Sequence, residues 1–126
     1  MKSVNRVTLL GHTTHDPELK AIATGKSVCT VGLATNRLWK DNKGEWQNLP
    51  EFHNLVAWGK LAEFLGNQVR KGKPLYVEGY LKTRSWESEK NGKQFRTEVV
   101  IDNAVLLGQK TTQEKEAPAA EPGEEA

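Results

Sequence analysis

Thiols are almost missing from this chain, with Cys29 the one cysteine among 126 residues. A lone thiol excludes an intrachain disulfide and a thiolate-cluster zinc site, so stability must come from packing or from partner subunits. No run of about 18 apolar residues is available to span a bilayer. The opening stretch, Met1 to Arg6, lacks the apolar segment of a secretory signal, and a cytoplasmic location is expected. There is no Gly-rich phosphate loop closed by Lys-Ser/Thr, no cysteine and histidine set for a deaminase, and no nucleophile elbow. Neither catalysis nor a cofactor is expected. His12 and His15 share an H-x-x-H spacing beside Asp16, but no cysteine or further histidine completes a tetrahedron, so no metal is expected.

Net charge is also small, +2 overall, and this conceals a segregation. Residues 1–108 carry 16 basic and 11 acidic side chains, net +5, while residues 109–126 carry 2 and 5, net −3. The second segment has no aromatic or β-branched aliphatic residue, cannot offset its ordering entropy by burial, and reads as a disordered acidic tail. The first is long enough for one domain, and an overall hydrophobic share of 37% supports a modest core.

Within residues 1–108 apolar side chains recur mostly at strand spacing. Residues 6–11 read as a first strand. A minor hairpin follows, in which residues 19–23 meet a Thr24-Gly25 turn and then the long run 27–37. Residues 41–45 are loop by composition, and 52–59 read as the next strand. Residues 60–69 read as a helix: Leu61, Phe64, Leu65 and Val69 fall at offsets 0, 3, 4 and 8, an expected buried stripe, and Gly72 and Pro74 end it. Two more strands, 75–87 and 94–107, flank a loop containing Asn91-Gly92. Five strands with a helix between the third and fourth give the element order of an OB-fold, a mainly β Greek-key barrel whose open face commonly holds single-stranded nucleic acid.

Strand parity sorts the side chains. Phe52, Asn54, Val56 and Trp58 share one face, with Leu55 and Ala57 on the other as the natural barrel filling. Leu75, Val77, Gly79 and Leu81 form an apolar face opposite Tyr76, Glu78, Tyr80, Lys82, Arg84 and Trp86, a surface that mixes cations with rings. A three-residue turn with a bulge at Gly92 is expected between the last strands, pairing Arg84 with Glu98 and Trp86 with Arg96.

The residues themselves resemble the bacterial single-stranded DNA-binding (SSB) proteins. The matching stretches are Val4-Asn5-Arg6-Val7 with Leu9-Leu10-Gly11, Asp16-Pro17-Glu18, Leu33-Ala34-Thr35, Phe52-His53, Trp58-Gly59-Lys60-Leu61-Ala62-Glu63, Arg70-Lys71-Gly72, Tyr76-Val77-Glu78-Gly79, and Thr83-Arg84 with Trp86. Their joint order and spacing are specific and cover residues 1–108. The resemblance implies sequence-independent binding and protection of single-stranded DNA during replication, repair and recombination. It assigns base stacking to Trp39, Phe52, Trp58 and Trp86, because every base has a π face whatever its identity. Phosphate contacts are expected from Arg6, Lys40, Lys60, Lys71, Lys82, Arg84, Lys93 and Arg96.

The resemblance also implies a homotetramer, with His53 near a subunit contact, and a cytoplasmic, nucleoid-associated location; Tyr76 and Tyr80 are expected to pack at a subunit contact. For Trp46, cover of the barrel edge and an extra ring for a base stay open; Phe64 and Cys29 are expected in the core. The tail departs from the family, whose acidic tip ends Ile-Pro-Phe and docks on replication and repair proteins: here the charge is kept and the hydrophobic anchor is missing. The alternatives are an OB-fold RNA-binding or primosome-accessory protein, and an assembly scaffold that uses the aromatic face for protein contacts.

Overall fold

A computed structural model describes residues 1–108; the expected disordered tail, 109–126, lies outside the described residues. The elements are β1 (Val7–Thr13), β2 (Glu18–Ala21), β3 (Ser27–Lys40), β4 (Trp46–Trp58), α1 (Gly59–Gln68), β5 (Pro74–Ser88) and β6 (Gly92–Leu106). Hydrogen bonding runs β1-β5-β6-β4-β3-β2, and β1 also pairs β3 at His12↔Ala34 and Thr13↔Leu33. That last pairing closes five strands into a barrel and leaves β2 outside as a small hairpin strand. The β4–β6 seam is parallel, through Leu55↔Val99 and Val56↔Val100, and the result is the OB-fold architecture.

Alternation along each strand builds the core. Cys29, Val31 and Leu33 from β3, Leu55 and Ala57 from β4, Leu75 and Val77 from β5, and Val99 and Ile101 from β6 all point inward and are buried. Ala62 and Leu65 of α1, with Val69 just after it, join them. Burial pushes the Cys29 thiol above its ordinary range, with Glu18 adding to the effect, as befits a packed side chain rather than a reactive one. Barrel closure requires backbones to approach closely. A Cβ on Gly11 would meet the carbonyl oxygen of Ala34, and one on Gly79 would meet that of Val100.

Polar side chains tie the open ends. Asn5 bonds the Leu81 backbone twice at 2.9 Å, carrying β1's pairing with β5 one step further than β1 itself. Thr13 Oγ1 donates to the Arg70 carbonyl at 2.6 Å and accepts from the Lys73 N–H at 3.0 Å, while Asp16 Oδ1 accepts the Lys71 N–H at 2.7 Å. These bonds fix the turn after α1 to the β1 end.

Three expectations are corrected. Phe64 is exposed rather than core, at 39%. The helix turns Ala62 and Leu65 inward, and Phe64 lies about 100° round from Leu65 on its flank. β4 begins at Trp46 rather than at 52, running through Pro50 opposite Asn36. It does so in a two-stranded ribbon, where each strand has an open edge that tolerates a missing N–H. The β5–β6 register is Arg84↔Arg96 and Trp86↔Gln94, two residues from the expected pairing, with Ser88↔Gly92 framing residues 89–91. Its bulge lies at Glu78/Gly79, where β5 runs so close to β6 that a Cβ on Gly79 would meet the Val100 backbone. Charges still share one face, since a shift of two preserves parity.

Candidate nucleic-acid interface

Two ribbons rise from the barrel. The β3–β4 ribbon continues to Lys40↔Trp46 and is closed by Asp41. Asp41 Oδ1 accepts the N–H groups of Lys43 and Glu45, each at 2.9 Å, and Oδ2 accepts from Gln47 Nε2 at 2.9 Å. These donors, the Glu45 N–H first, hold the Asp41 carboxyl below its ordinary range. The β5–β6 ribbon is closed by residues 89–91, with the Asn91 N–H on Ser88 Oγ at 3.2 Å and Gln94 Nε2 on the Asn91 carbonyl at 3.0 Å.

Between the ribbons lies a trough. The even residues of β4, Phe52 to Trp58, share a face with Gln94, Arg96 and Glu98 of β6 through the parallel pair Val56↔Val100, and with Lys82, Arg84 and Trp86 of β5 through the antiparallel ladder. A concavity of about 310 Å³ opens there, lined among others by His15, Glu18, Thr30, Asn54, Val56, Arg84, Arg96 and Glu98. Phe52 is 69% exposed, Trp58 43% and Trp86 42%. Trp39, at 37%, stands on the opposite face of its ribbon, paired with Gln47.

The trough sets Arg84 and Arg96 beside two carboxylates, Glu18 and the largely buried Glu98. The Glu98 side chain is 11% exposed and accepts Arg84 Nε at 3.0 Å and Nη2 at 3.2 Å, with Arg96 Nε at 3.9 Å. The hydrogen bond to Glu98, reinforced by its charge, raises the Arg84 guanidinium's already high pKa. Arg84 also lies over the Trp86 ring, 5.2 Å from its centroid, so carboxylate and indole fix the guanidinium from two sides. Lys82 is directly across from Glu98 in the ladder. Lys40 caps the Trp46 ring at 5.5 Å and Lys93 the Phe95 ring at 5.7 Å. Lys60 stands exposed in the first turn of α1, next but one to Trp58, and Lys71 in the turn after the helix.

Other expected site residues stand elsewhere. Arg6 pairs with Asp102 at 3.6 Å, on the surface toward the start of β5. Tyr76 is half-buried there and its hydroxyl donates to Glu78, which also accepts Asn103 Nδ2 at 3.2 Å. Leu10 and Val105, both exposed, are its cross-strand neighbours. His53 is half-buried on the barrel side of β4, with Nε2 2.9 Å from Thr35 Oγ1.

Phe95 and Arg37 escaped the sequence reading. Phe95, 64% exposed, has the parity of the buried Val99 and Ile101, but its ribbon has left the barrel and that face has nothing to fill. Arg37 lies 5.4 Å from the Trp39 centroid, and its i, i+2 spacing on one strand face was the available signal. Trp46 is 68% exposed, so it does not cover the barrel edge. Among the described residues, no three His, Cys, Asp or Glu cluster to hold a metal, and no helix is long and apolar enough to cross a membrane.

Comparison with known proteins gives a consistent picture. The model of the single-strand binding protein family matches residues 4–107. A protein of Chlorobaculum tepidum described as single-stranded DNA-binding protein 1 is 43% identical over 110 residues, covering 86% of this chain and 68% of its own length. A structure described as Plasmodium falciparum SSB in complex with ssDNA superposes with a TM-score of 0.77 at 28% identity, covering 86% of this chain and 98% of that one. A deletion mutant of the single-stranded DNA-binding protein from Thermus aquaticus gives 0.75 at 28% identity, over 83% and 51%.

Proposed function

Since this chain belongs to the single-strand binding protein family, we propose that it coats single-stranded DNA without regard to sequence, stacking bases on open rings and pairing phosphates with the cations between them. It is a binder of single-stranded DNA and not an enzyme. The observation that carries the proposed mechanism is the trough: Phe52, Trp58 and Trp86 open to solvent on one continuous face with Lys82, Arg84 and Arg96 among them. Stacking tolerates any base, whereas edge hydrogen bonding would not, and a face that offers rings and guanidinium groups suits the first. Trp39 serves as the fourth platform, from the reverse face of its ribbon. Lys40, Lys60, Lys71 and Lys93 supply further phosphate contacts; Arg6, engaged with Asp102, makes a weaker one.

Each OB domain covers only about 4 to 16 nucleotides, so tight coating favours several domains linked together. A homotetramer is the assembly proposed, with Tyr76 and the exposed Leu10 and Val105 around β1 as one contact and His53 near another. Exposed strands in the nucleoid, at replication, repair and recombination intermediates, are the setting that follows, together with the proteins that act there. Competition between equal lengths of poly-dT and poly-U tests the substrate: preference for poly-dT is expected, while preference for poly-U would point to a reader of the 2′-hydroxyl.

A further inference from the structure

Two ring–cation pairs are not used by the four platforms above. Trp46 is 68% exposed with Lys40 Nζ 5.5 Å from its centroid, and Phe95 is 64% exposed with Lys93 Nζ 5.7 Å away. The register gives them a common logic. Trp39 and Trp46 lie on opposite faces of the β3–β4 ribbon, because Trp39 pairs Gln47 and Lys40 pairs Trp46. Trp86 and Phe95 lie on opposite faces of the β5–β6 ribbon, because Trp86 pairs Gln94 and Ser85 pairs Phe95. Each ribbon therefore carries a cation-topped ring on each of its two faces.

We propose that Trp46 and Phe95 are further base platforms, Trp46 extending the trough face along β4 and Phe95 adding the reverse face of the β5–β6 ribbon, so that single-stranded DNA passes over both faces of each ribbon. The inference rests on reading the trough as a single-stranded DNA site. Three observations support it. A ring two-thirds exposed is not packing against the fold. A cation beside each ring supplies the charge a phosphate needs next to a stacked base. Trp46 also continues the row of Phe52 and Trp58 along one face of β4, about 20 Å from Phe52 at the usual strand rise. The blander role, a cross-strand clip that stiffens the ribbon, predicts loss of stability when the ring is removed.

The test uses Trp46→Leu, Phe95→Leu and the double variant, with Trp58→Leu as the trough control, titrated calorimetrically with oligo-dT and poly-dT. Trp46→Leu and Phe95→Leu are each expected to shorten the length of poly-dT occluded per protomer. Each should weaken binding of a long oligo-dT roughly 5- to 150-fold, the equivalent of about 1 to 3 kcal/mol per stacked base, with the thermal midpoint unchanged. Should Trp58→Leu weaken binding while Trp46→Leu and Phe95→Leu leave length and affinity intact, the two-faced ribbon is overturned and the trough stands. A fall in thermal midpoint that accounts for the lost affinity overturns it too, in favour of the clip. If Trp58→Leu has no effect, the trough itself is wrong, and the ribbon proposal goes with it.

Discussion

Glu98 is an anion set between two arginines in the groove proposed to take a polyanion. Its carboxylate holds Arg84 at 3.0 Å and attracts Arg96 at 3.9 Å, so incoming phosphates compete with it for both cations. Replacing it by Gln removes the charge and keeps the shape. Glu98→Gln is expected to tighten DNA binding at low salt and to steepen the salt dependence by roughly 0.7 in slope for each further phosphate that the arginines neutralise. An unchanged slope, read from affinities across a salt series, would show that the arginines never exchange Glu98 for DNA. Tyr76 and Glu78 make a second residue-level case. The Tyr76 hydroxyl, then the Asn103 amide, hold Glu78 below the ordinary glutamate range, and the same bond raises Tyr76 above the ordinary tyrosine range. A lowered carboxyl contributes stability above its unfolded value of about 4.3, lost as pH falls through its folded value; a raised phenol contributes below about 10, lost as pH rises. Wild type should therefore exceed Tyr76→Phe in urea midpoint most between those limits, with the gap closing at both ends; a pH-independent gap would contradict the linkage.

At the scale of the element, the two ribbons carry most of the proposed site, and their geometry depends on their closures. Asp41 satisfies two backbone N–H groups and the Gln47 amide at once. Asp41→Ala is expected to loosen residues 41–45, speed their amide exchange, and weaken DNA binding while leaving exchange in the barrel strands unchanged. Protection that stays the same in the loop would place the closure elsewhere. The ribbons also show where sequence was readable. Alternation exposed the inward residues Leu55, Ala57, Leu75 and Val77 and the outward Lys82, Arg84 and Trp86, because period-2 patterning follows directly from the pleat. It did not reveal that β4 starts at Trp46 or that Phe95 faces solvent. Where a ribbon leaves the barrel, the face that was core becomes surface, and no local pattern marks the crossing. The β5–β6 register differs by two because the three-residue turn occupies 89–91, with Gly92 already paired to Ser88, and moving a turn by one residue moves the pairing by two.

For the whole molecule, a basic body is joined to an acidic segment, net +5 against net −3. Removing residues 109–126 is expected to tighten binding of oligo-dT at low ionic strength, by taking away an intramolecular competitor for the same cations, and to matter little at high salt. Equal affinities at low salt would rule out that competition. Membership of the family was legible from motif order alone, and so was the barrel with its helix. Which rings stay open was legible in part: Trp39, Phe52, Trp58 and Trp86 were expected in the open and are exposed, while Phe64, expected in the core, and Phe95, given no role, are exposed as well. The central claim is that indole and phenyl surfaces on this barrel receive unpaired bases. Tryptophan fluorescence during an oligo-dT titration tests it most directly. Strong quenching that saturates at a fixed nucleotide-to-protein ratio is predicted, with Trp58→Leu and Trp86→Leu each lowering both the quench and the affinity; emission that stays unchanged while DNA binds would contradict it.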